Sequence, residues 1–212
     1  MLQKLLLAFV GLFVVLTSLP VYAQASPAPA NDNPTSGLKL DDSPDATSGA
    51  DASTTPSPFV NQFKGHLLVL DDGEIKDFDV STLKDVKYWA FYYSASWCPP
   101  CRAFTPKLVD FYKYFKKSHP NFELIFVGND GTQDLMLAYM KADKMPWPSM
   151  KYPDLDQGNV SVKKYFGPGI PDLVLTDDKG KVLSDSFVGG NYRGPTAVMD
   201  DIKRLVPMPP GS

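Results

Sequence analysis

The sequence predicts an α/β protein, a three-layer sandwich with a central mixed β-sheet flanked by helices. Three observations predict it. Two continuous apolar runs, Tyr88 to Tyr93 (YWAFYY) and Phe122 to Val127 (FELIFV), have the composition of strands buried on both faces. The stretch between them has helical periodicity, so the strands run parallel across a helical crossover. Near the C-terminus two further strand-like runs flank Asp177-Asp178-Lys179-Gly180, which appends an antiparallel pair.

The elements follow in order. Lys4 and the free amine make a short positive segment, Leu5 to Leu19 is almost wholly apolar, Pro20 breaks the run, and Ala23-Gln24-Ala25 is a small-x-small cleavage site. Residues 1–25 therefore read as a secretory signal peptide. The run is short for a membrane span, which leaves an uncleaved anchor as the alternative. No cysteine follows it to carry a lipid. Residues 26–58 are rich in Ser, Pro, Ala, Asp, Asn and Thr; such a stretch cannot bury enough surface to offset its ordering entropy and reads as a disordered linker. The folded domain is expected over 59–208.

Within that domain, His66 to Leu70 and Glu74 to Phe78 flank Asp71-Asp72-Gly73, a hairpin signal. Tyr88 to Tyr93 is the first central strand. A helix opens at Cys98-Pro99-Pro100-Cys101, with Phe104, Leu108, Phe111 and Phe115 at helical spacing. Phe122 to Val127 is the second central strand. Thr132 caps a helix running to about Asp143, with Leu135, Met136 and Tyr139 facing inward, and Val162 to Phe166 reads as a shorter helix. Gly167-Pro168-Gly169-Ile170-Pro171 is a turn. Asp172 to Thr176 and Lys181 to Asp185 form the last hairpin, and Pro195 opens a final helix to Val206.

The chemistry concentrates in two residues. The 212-residue chain holds only two cysteines, Cys98 and Cys101, with two histidines and a net charge of -3. A structural zinc site needs four ligands, a disulfide framework needs more cysteines spread along the chain, and nucleic-acid binding has no basic field to support it. A redox pair remains. At the start of a helix, unpaired N–H groups and the helix dipole favour an anion, so Cys98 is the expected nucleophile. Cys101, one turn further in, is the expected resolving thiol. Pro99 and Pro100 suit a first turn, where their missing N–H groups would have no partner anyway. Trp97, on the exposed side of the pair, is expected to cover it and to offer a surface to a partner. Arg102 either favours the thiolate or simply hydrates the helix surface.

The run Tyr92-Tyr93-Ser94-Ala95-Ser96-Trp97-Cys98-Pro99-Pro100-Cys101-Arg102, followed by Phe104-Thr105-Pro106, resembles the thioredoxin superfamily and, within it, the tryparedoxin/nucleoredoxin branch. Met145-Pro146-Trp147 is similar to a mid-chain motif of that branch, and Pro106 to the helix-kinking proline of thioredoxins. The resemblance covers roughly residues 65 to 206. It implies a thioredoxin fold in which Pro171 is cis and packs against the Cys98–Cys101 turn, with the Ile170 backbone pairing with an extended segment of the partner. It implies a redox-active Cys98–Cys101 disulfide and no other cofactor or metal. Two departures stand out. Tyr92 occupies the place of the buried acid of thioredoxins, which leaves the proton acceptor for Cys101 unassigned. Asp172 follows the proline where Thr is usual, as a base beside the pair or as a solvated strand start.

The resulting expectation is an exported thiol–disulfide oxidoreductase, periplasmic or secreted, that reduces disulfide-containing proteins and draws electrons from a membrane thiol donor. A bacterial envelope is favoured, although Asn159-Val160-Ser161 is a glycosylation sequon for a eukaryotic host. The absence of a histidine between the cysteines favours reductase over oxidase or isomerase by resemblance. A copper(I) carrier using the same two thiolates and a non-catalytic binding module are the readings of a different class.

Overall fold

Seven strands form one mixed sheet in the computed structural model, which describes residues 57–155 and 162–210. The predicted signal peptide, nearly all of the predicted linker and the Asn159-Val160-Ser161 sequon lie outside the described residues. In chain order the elements are α1 (Pro58–Asn61), β1 (Leu67–Asp71), β2 (Glu74–Asp77), β3 (Tyr88–Ser94), α2 (Pro99–Ser118), β4 (Phe122–Gly128), α3 (Gln133–Ala142), β5 (Ser149–Met150), β6 (Asp172–Asp177), β7 (Val182–Asp185), β8 (Phe187–Val188), β9 (Asn191–Tyr192) and α4 (Pro195–Leu205). Single 3-10 turns span Val80–Leu83, Tyr152–Leu155 and Lys163–Tyr165.

The sheet order is β2-β1-β5-β4-β3-β6-β7. β3 and β4 pair in parallel from Tyr88↔Phe122 to Ser94↔Gly128, while β6 runs antiparallel to β3 from Tyr93↔Asp172 to Tyr88↔Asp177. The exits of β3 and β4 and the entry of β6 therefore meet at one end of the sheet.

Alternation along β3 builds both layers. Ala90 and Tyr92 face a core with Phe104, Leu108 and Tyr112 of α2, Met136 and Tyr139 of α3, and Val198 and Ile202 of α4. Trp89, Phe91 and Tyr93 face the opposite core, with Phe63, Leu83, Val86 and Tyr165. This second layer is made of α1, 3-10 turns and connecting segments rather than a long helix. Its aromatic groups interlock: Phe63 stacks on Trp89 at 5.4 Å between ring centroids and Phe91 on Tyr165 at 5.0 Å.

The first hairpin forms because Asp72 (φ 50°) and Gly73 (φ 82°) both take the left-handed region that a tight hairpin turn demands. Two expectations are corrected. Leu135 is half exposed, whereas Met136, Tyr139 and Met140 carry the inward face of α3; the buried spacing of 3 and 4 starts one residue later, and Leu135 lies about 100° round the helix from it. The helix expected over Val162 to Phe166 is only a 3-10 turn at Lys163–Tyr165. The strand β5 is two residues long and was not legible from periodicity.

Candidate active site

The end of β3 leads into Ala95-Ser96-Trp97 and then directly into α2. Cys98 is the N-cap of that helix (φ -93°, ψ 108°), and Pro99 and Pro100 fill its first turn. Cys98 and Cys101 are disulfide-bonded, with an S–S distance of 2.14 Å and Cα atoms 5.3 Å apart. The Cys101 N–H donates to Cys98 Sγ at 3.3 Å. This is the usual bond of an N-cap side chain, made here by sulfur. When the pair is reduced, the same N–H and the helix dipole stabilise a Cys98 thiolate. Cys98 is 3% exposed and Cys101 fully buried, so the sulfur with access is that of Cys98.

The loop before the pair is held from β4. Asp130 Oδ1 accepts both from the Ser96 N–H at 2.9 Å and from the Ser96 hydroxyl at 2.5 Å. The Trp97 ring is 62% exposed, yet its Nε1 donates to the Asn129 carbonyl at 3.1 Å. Opposite, the Ile170–Pro171 peptide bond is cis, and the Ile170 carbonyl oxygen lies 3.9 Å from Cys98 Sγ. Ile170 packs against Ala95, Cys98 and Cys101, while Tyr192 donates to the Pro171 carbonyl at 2.9 Å. Trp97, Cys98, Pro99, Asn129, Phe166 and Ile170 line an open recess of about 450 Å³. The structure thus brings together Trp97, Cys98, Pro99, Pro100, Cys101, Ile170 and Pro171, and leaves Arg102 apart.

Solved structures of similar fold give the relationship. Native tryparedoxin I from Crithidia fasciculata is 33% identical, with a TM-score of 0.52 over 72% of this chain and 98% of that one. Tryparedoxin I from Leishmania major is 32% identical, with a TM-score of 0.51 over 71% of this chain and 98% of that one. This chain belongs to the thioredoxin superfamily. Within it the chain falls in the tryparedoxin/nucleoredoxin-like branch of thioredoxin-like oxidoreductases, and carries the branch's cysteine pair as Cys98 and Cys101. A family model described as thioredoxin-like matches residues 85–182. Nucleoredoxin of Xenopus laevis is 33% identical over 129 residues, 61% of this chain but 30% of the relative, and probable nucleoredoxin 1 of Arabidopsis thaliana 35% over 122 residues, 58% and 20%. The chain therefore spans less than a third of the curated relatives it matches.

In this thioredoxin-like frame, Tyr92 sits beneath α2 in a chain of hydroxyls. Its oxygen lies 2.8 Å from Thr105 Oγ1, which lies 2.5 Å from the Tyr139 oxygen, which in turn meets Ser94 Oγ at 3.2 Å. Thr105 donates to the Cys101 carbonyl at 3.0 Å, and Tyr92 approaches the same oxygen at 3.4 Å. One residue on, Pro106 lies inside the helix and has no N–H, which removes the helical donor to the Arg102 carbonyl four residues back. Burial pushes the Tyr92 phenol well above its usual range, so it stays neutral and offers hydrogen bonds rather than a base.

Asp172 is not a solvated strand start. It is fully buried, Oδ2 accepts from the Gly167 N–H at 2.8 Å, and Oδ1 has no partner among the described residues. Burial pushes its pKa up to about 6, against the Gly167 hydrogen bond, which lowers it. Arg102 is exposed and lines a separate recess with Asp143, whose pKa burial raises and the Arg102 charge lowers. Among the described residues no cluster of His, Cys, Asp or Glu is arranged to hold a metal ion. His119 ends α2, about 30 Å along the helix from Cys98 at 1.5 Å per residue, stacked on Phe115 and bonded to its carbonyl at 3.0 Å. Sequence reasoning missed Asn129 and Asp130. The available signal was their place just after a buried parallel strand, the end of an open α/β sheet where ligands bind.

Proposed function

We propose that this protein reduces disulfides of exported proteins by dithiol–disulfide exchange through Cys98 and Cys101. The observation that carries the reading is Cys98 Sγ at a helix N-terminus, at the floor of an open recess, facing the backbone of Ile170. The Cys98 thiolate attacks one sulfur of the substrate disulfide. The other substrate sulfur leaves as a thiolate and takes up a proton. Cys101 then loses its proton and attacks Cys98 Sγ, the second substrate thiolate leaves, and the Cys98–Cys101 disulfide forms. Two electrons pass from the pair to the substrate, and the exchange itself uses no metal or organic cofactor. An external dithiol must restore the reduced pair; in an oxidising compartment a membrane thiol donor supplies that chemistry. Ile170 and cis-Pro171 offer an edge to an extended substrate segment, and Trp97 shields the mixed disulfide.

Export rests on the apolar run of residues 5–19 with its Ala23-Gln24-Ala25 site. The test is the reduction potential of the pair, equilibrated in thiol buffers. A value near -270 mV, about that of thioredoxin, supports a reductase. A value near -120 mV makes the protein a disulfide donor instead. Fusing residues 1–30 to a reporter active only outside the cytosol tests export; a silent fusion overturns it.

A further inference from the structure

Asp172 is the first residue of β6, next to Pro171, and the reaction above does not use it. Its carboxylate closes the loop from Gly167 to Asp172: Oδ2 accepts the Gly167 N–H at 2.8 Å across five residues. The loop carries Pro168 and Pro171, which have no N–H to anchor it, so a side-chain acceptor takes a larger share of holding it. Gly167 is needed for the approach, since a Cβ there would lie 3.1 Å from Asp172 Oδ2 and run into the Phe187 ring. We propose that Asp172 is a positioning residue that clasps this loop and so holds the Ile170 backbone, beside Cys98, in the register an incoming disulfide-bearing segment pairs with. The proposal rests on the exchange reaction proposed above.

Electrostatics support the same role. The titratable groups that face Asp172 are Asp185 from β7, Tyr93 from β3 and Tyr192 from β9, while the neighbouring Ser186 hydroxyl and Leu173 backbone bond each other. None of these is a cation; the Arg193 charge acts on Asp185. Among the described residues the carboxylate is therefore buried without a countercharge, with one oxygen unpartnered. A purely structural acceptor would be served by a neutral side chain. A carboxylate kept there, against its own desolvation, makes a stronger, charge-assisted bond to Gly167, and groups held at such a cost concentrate at functional sites.

The test compares the full chain with Asp172→Asn and Asp172→Ala, using a folded protein disulfide as substrate and pH 5 to 7.5. In the parent protein KM should rise from pH 7.5 to pH 5 by roughly three- to tenfold, the size expected for weakening one hydrogen bond to a charged group. D172N should hold one elevated KM across that range, and D172A should raise KM at every pH. D185N should keep an inflection, moved to lower pH, because it removes a negative charge that raises the Asp172 pKa. In the oxidised protein, where no thiol titrates, exchange protection of the Gly167 amide should fall on acidification in the parent and be absent in D172A. An unchanged KM in D172A, a parent-like pH inflection in D172N, or a Gly167 amide indifferent to both would overturn the clasp. If no variant or parent reduces protein disulfides, the reaction assignment fails, and the Gly167 amide still decides the clasp.

Discussion

Cys98 and Cys101 share a helical turn but not an environment. Cys98 caps the helix and opens on the recess, whereas Cys101 is sealed beneath it. Only one sulfur can meet a substrate, so the two cysteine variants should behave differently. Cys101→Ser should accumulate a mixed disulfide with its substrate, visible on non-reducing gels, and Cys98→Ser should accumulate none. Either variant should lose turnover by roughly 10³-fold or more, as loss of a nucleophile does. Trapping by C98S instead would reverse the assignment. Asp172 carries the opposite kind of prediction. Its pKa in the fold, about 6, lies above the ordinary value of 3.8, so the folded state binds the proton more tightly than the unfolded one. Its contribution to stability is then fully present below about pH 4 and is lost as pH rises through about 6. At pH 7 the charge costs the fold up to ~3 kcal/mol at ~1.4 kcal/mol for each pKa unit. Asp172→Asn removes that charge but leaves an amide N–H to satisfy, so a gain of about 1–2 kcal/mol is expected, several degrees in Tm. The gain should vanish at pH 4. A destabilised D172N at pH 7 would mean that the bond to Gly167 outweighs desolvation.

At the scale of the element, α2 runs from Pro99 to Ser118 with a proline inside it. Pro106 takes away the backbone donor to the Arg102 carbonyl, and next to it the hydroxyl of Thr105 donates to the Cys101 carbonyl, which Tyr92 also approaches. Thr105 is the hub, since Tyr92, Tyr139 and Cys101 all lean on its one hydroxyl. Thr105→Val should therefore cost about 2–3 kcal/mol in urea unfolding, because it strands buried polar partners. Tyr92→Phe, which removes one end of the chain, should cost about 1 kcal/mol. Equal costs would show that the chain does not pass through Thr105. This network also marks where the sequence stops being legible. The strands β3 and β4 and the cysteine pair are readable because continuous apolar runs and a Cys-Pro-Pro-Cys helix start are local signals. The cis bond at Pro171 was reached through resemblance. The hydroxyl chain joins Tyr92, Thr105 and Tyr139 across three elements, and the Asp130–Ser96 clamp joins two loops 34 residues apart; no local period encodes either. Leu135 misled because one residue of phase separates the wet and dry faces of a short helix. The two-residue strand β5 exists only because β1 and β4 flank it.

Over the whole molecule, topology explains why so few residues make the site. Parallel β3 and β4 send both of their exits to one end of the sheet, and antiparallel β6 enters there. Trp97 with Cys98, Asn129 with Asp130, and Ile170 with Pro171 thus all lie within four residues of three neighbouring strand ends. The disulfide sits on this rim and closes a loop of only four residues, so the chain-entropy contribution to stability is about 2 kcal/mol. Against it, reduction frees a Cys98 thiolate at the start of α2, which the dipole stabilises by about 0.3–1 kcal/mol. The balance leaves the oxidised domain more stable by ~1 kcal/mol. This difference is tied by a thermodynamic cycle to the potential of the pair: whichever redox form the fold stabilises is the one the protein prefers to become. A reductase must gain stability on oxidation, and a disulfide donor must gain it on reduction, with ~1.4 kcal/mol corresponding to ~30 mV. Urea unfolding of both forms at pH 7 therefore reads the direction of electron flow without any substrate. A higher urea midpoint for the oxidised form is expected. A higher midpoint for the reduced form would make the protein an oxidant of its partners, and the thiolate at the N-cap, rather than the closed loop, would then dominate the energetics of the site.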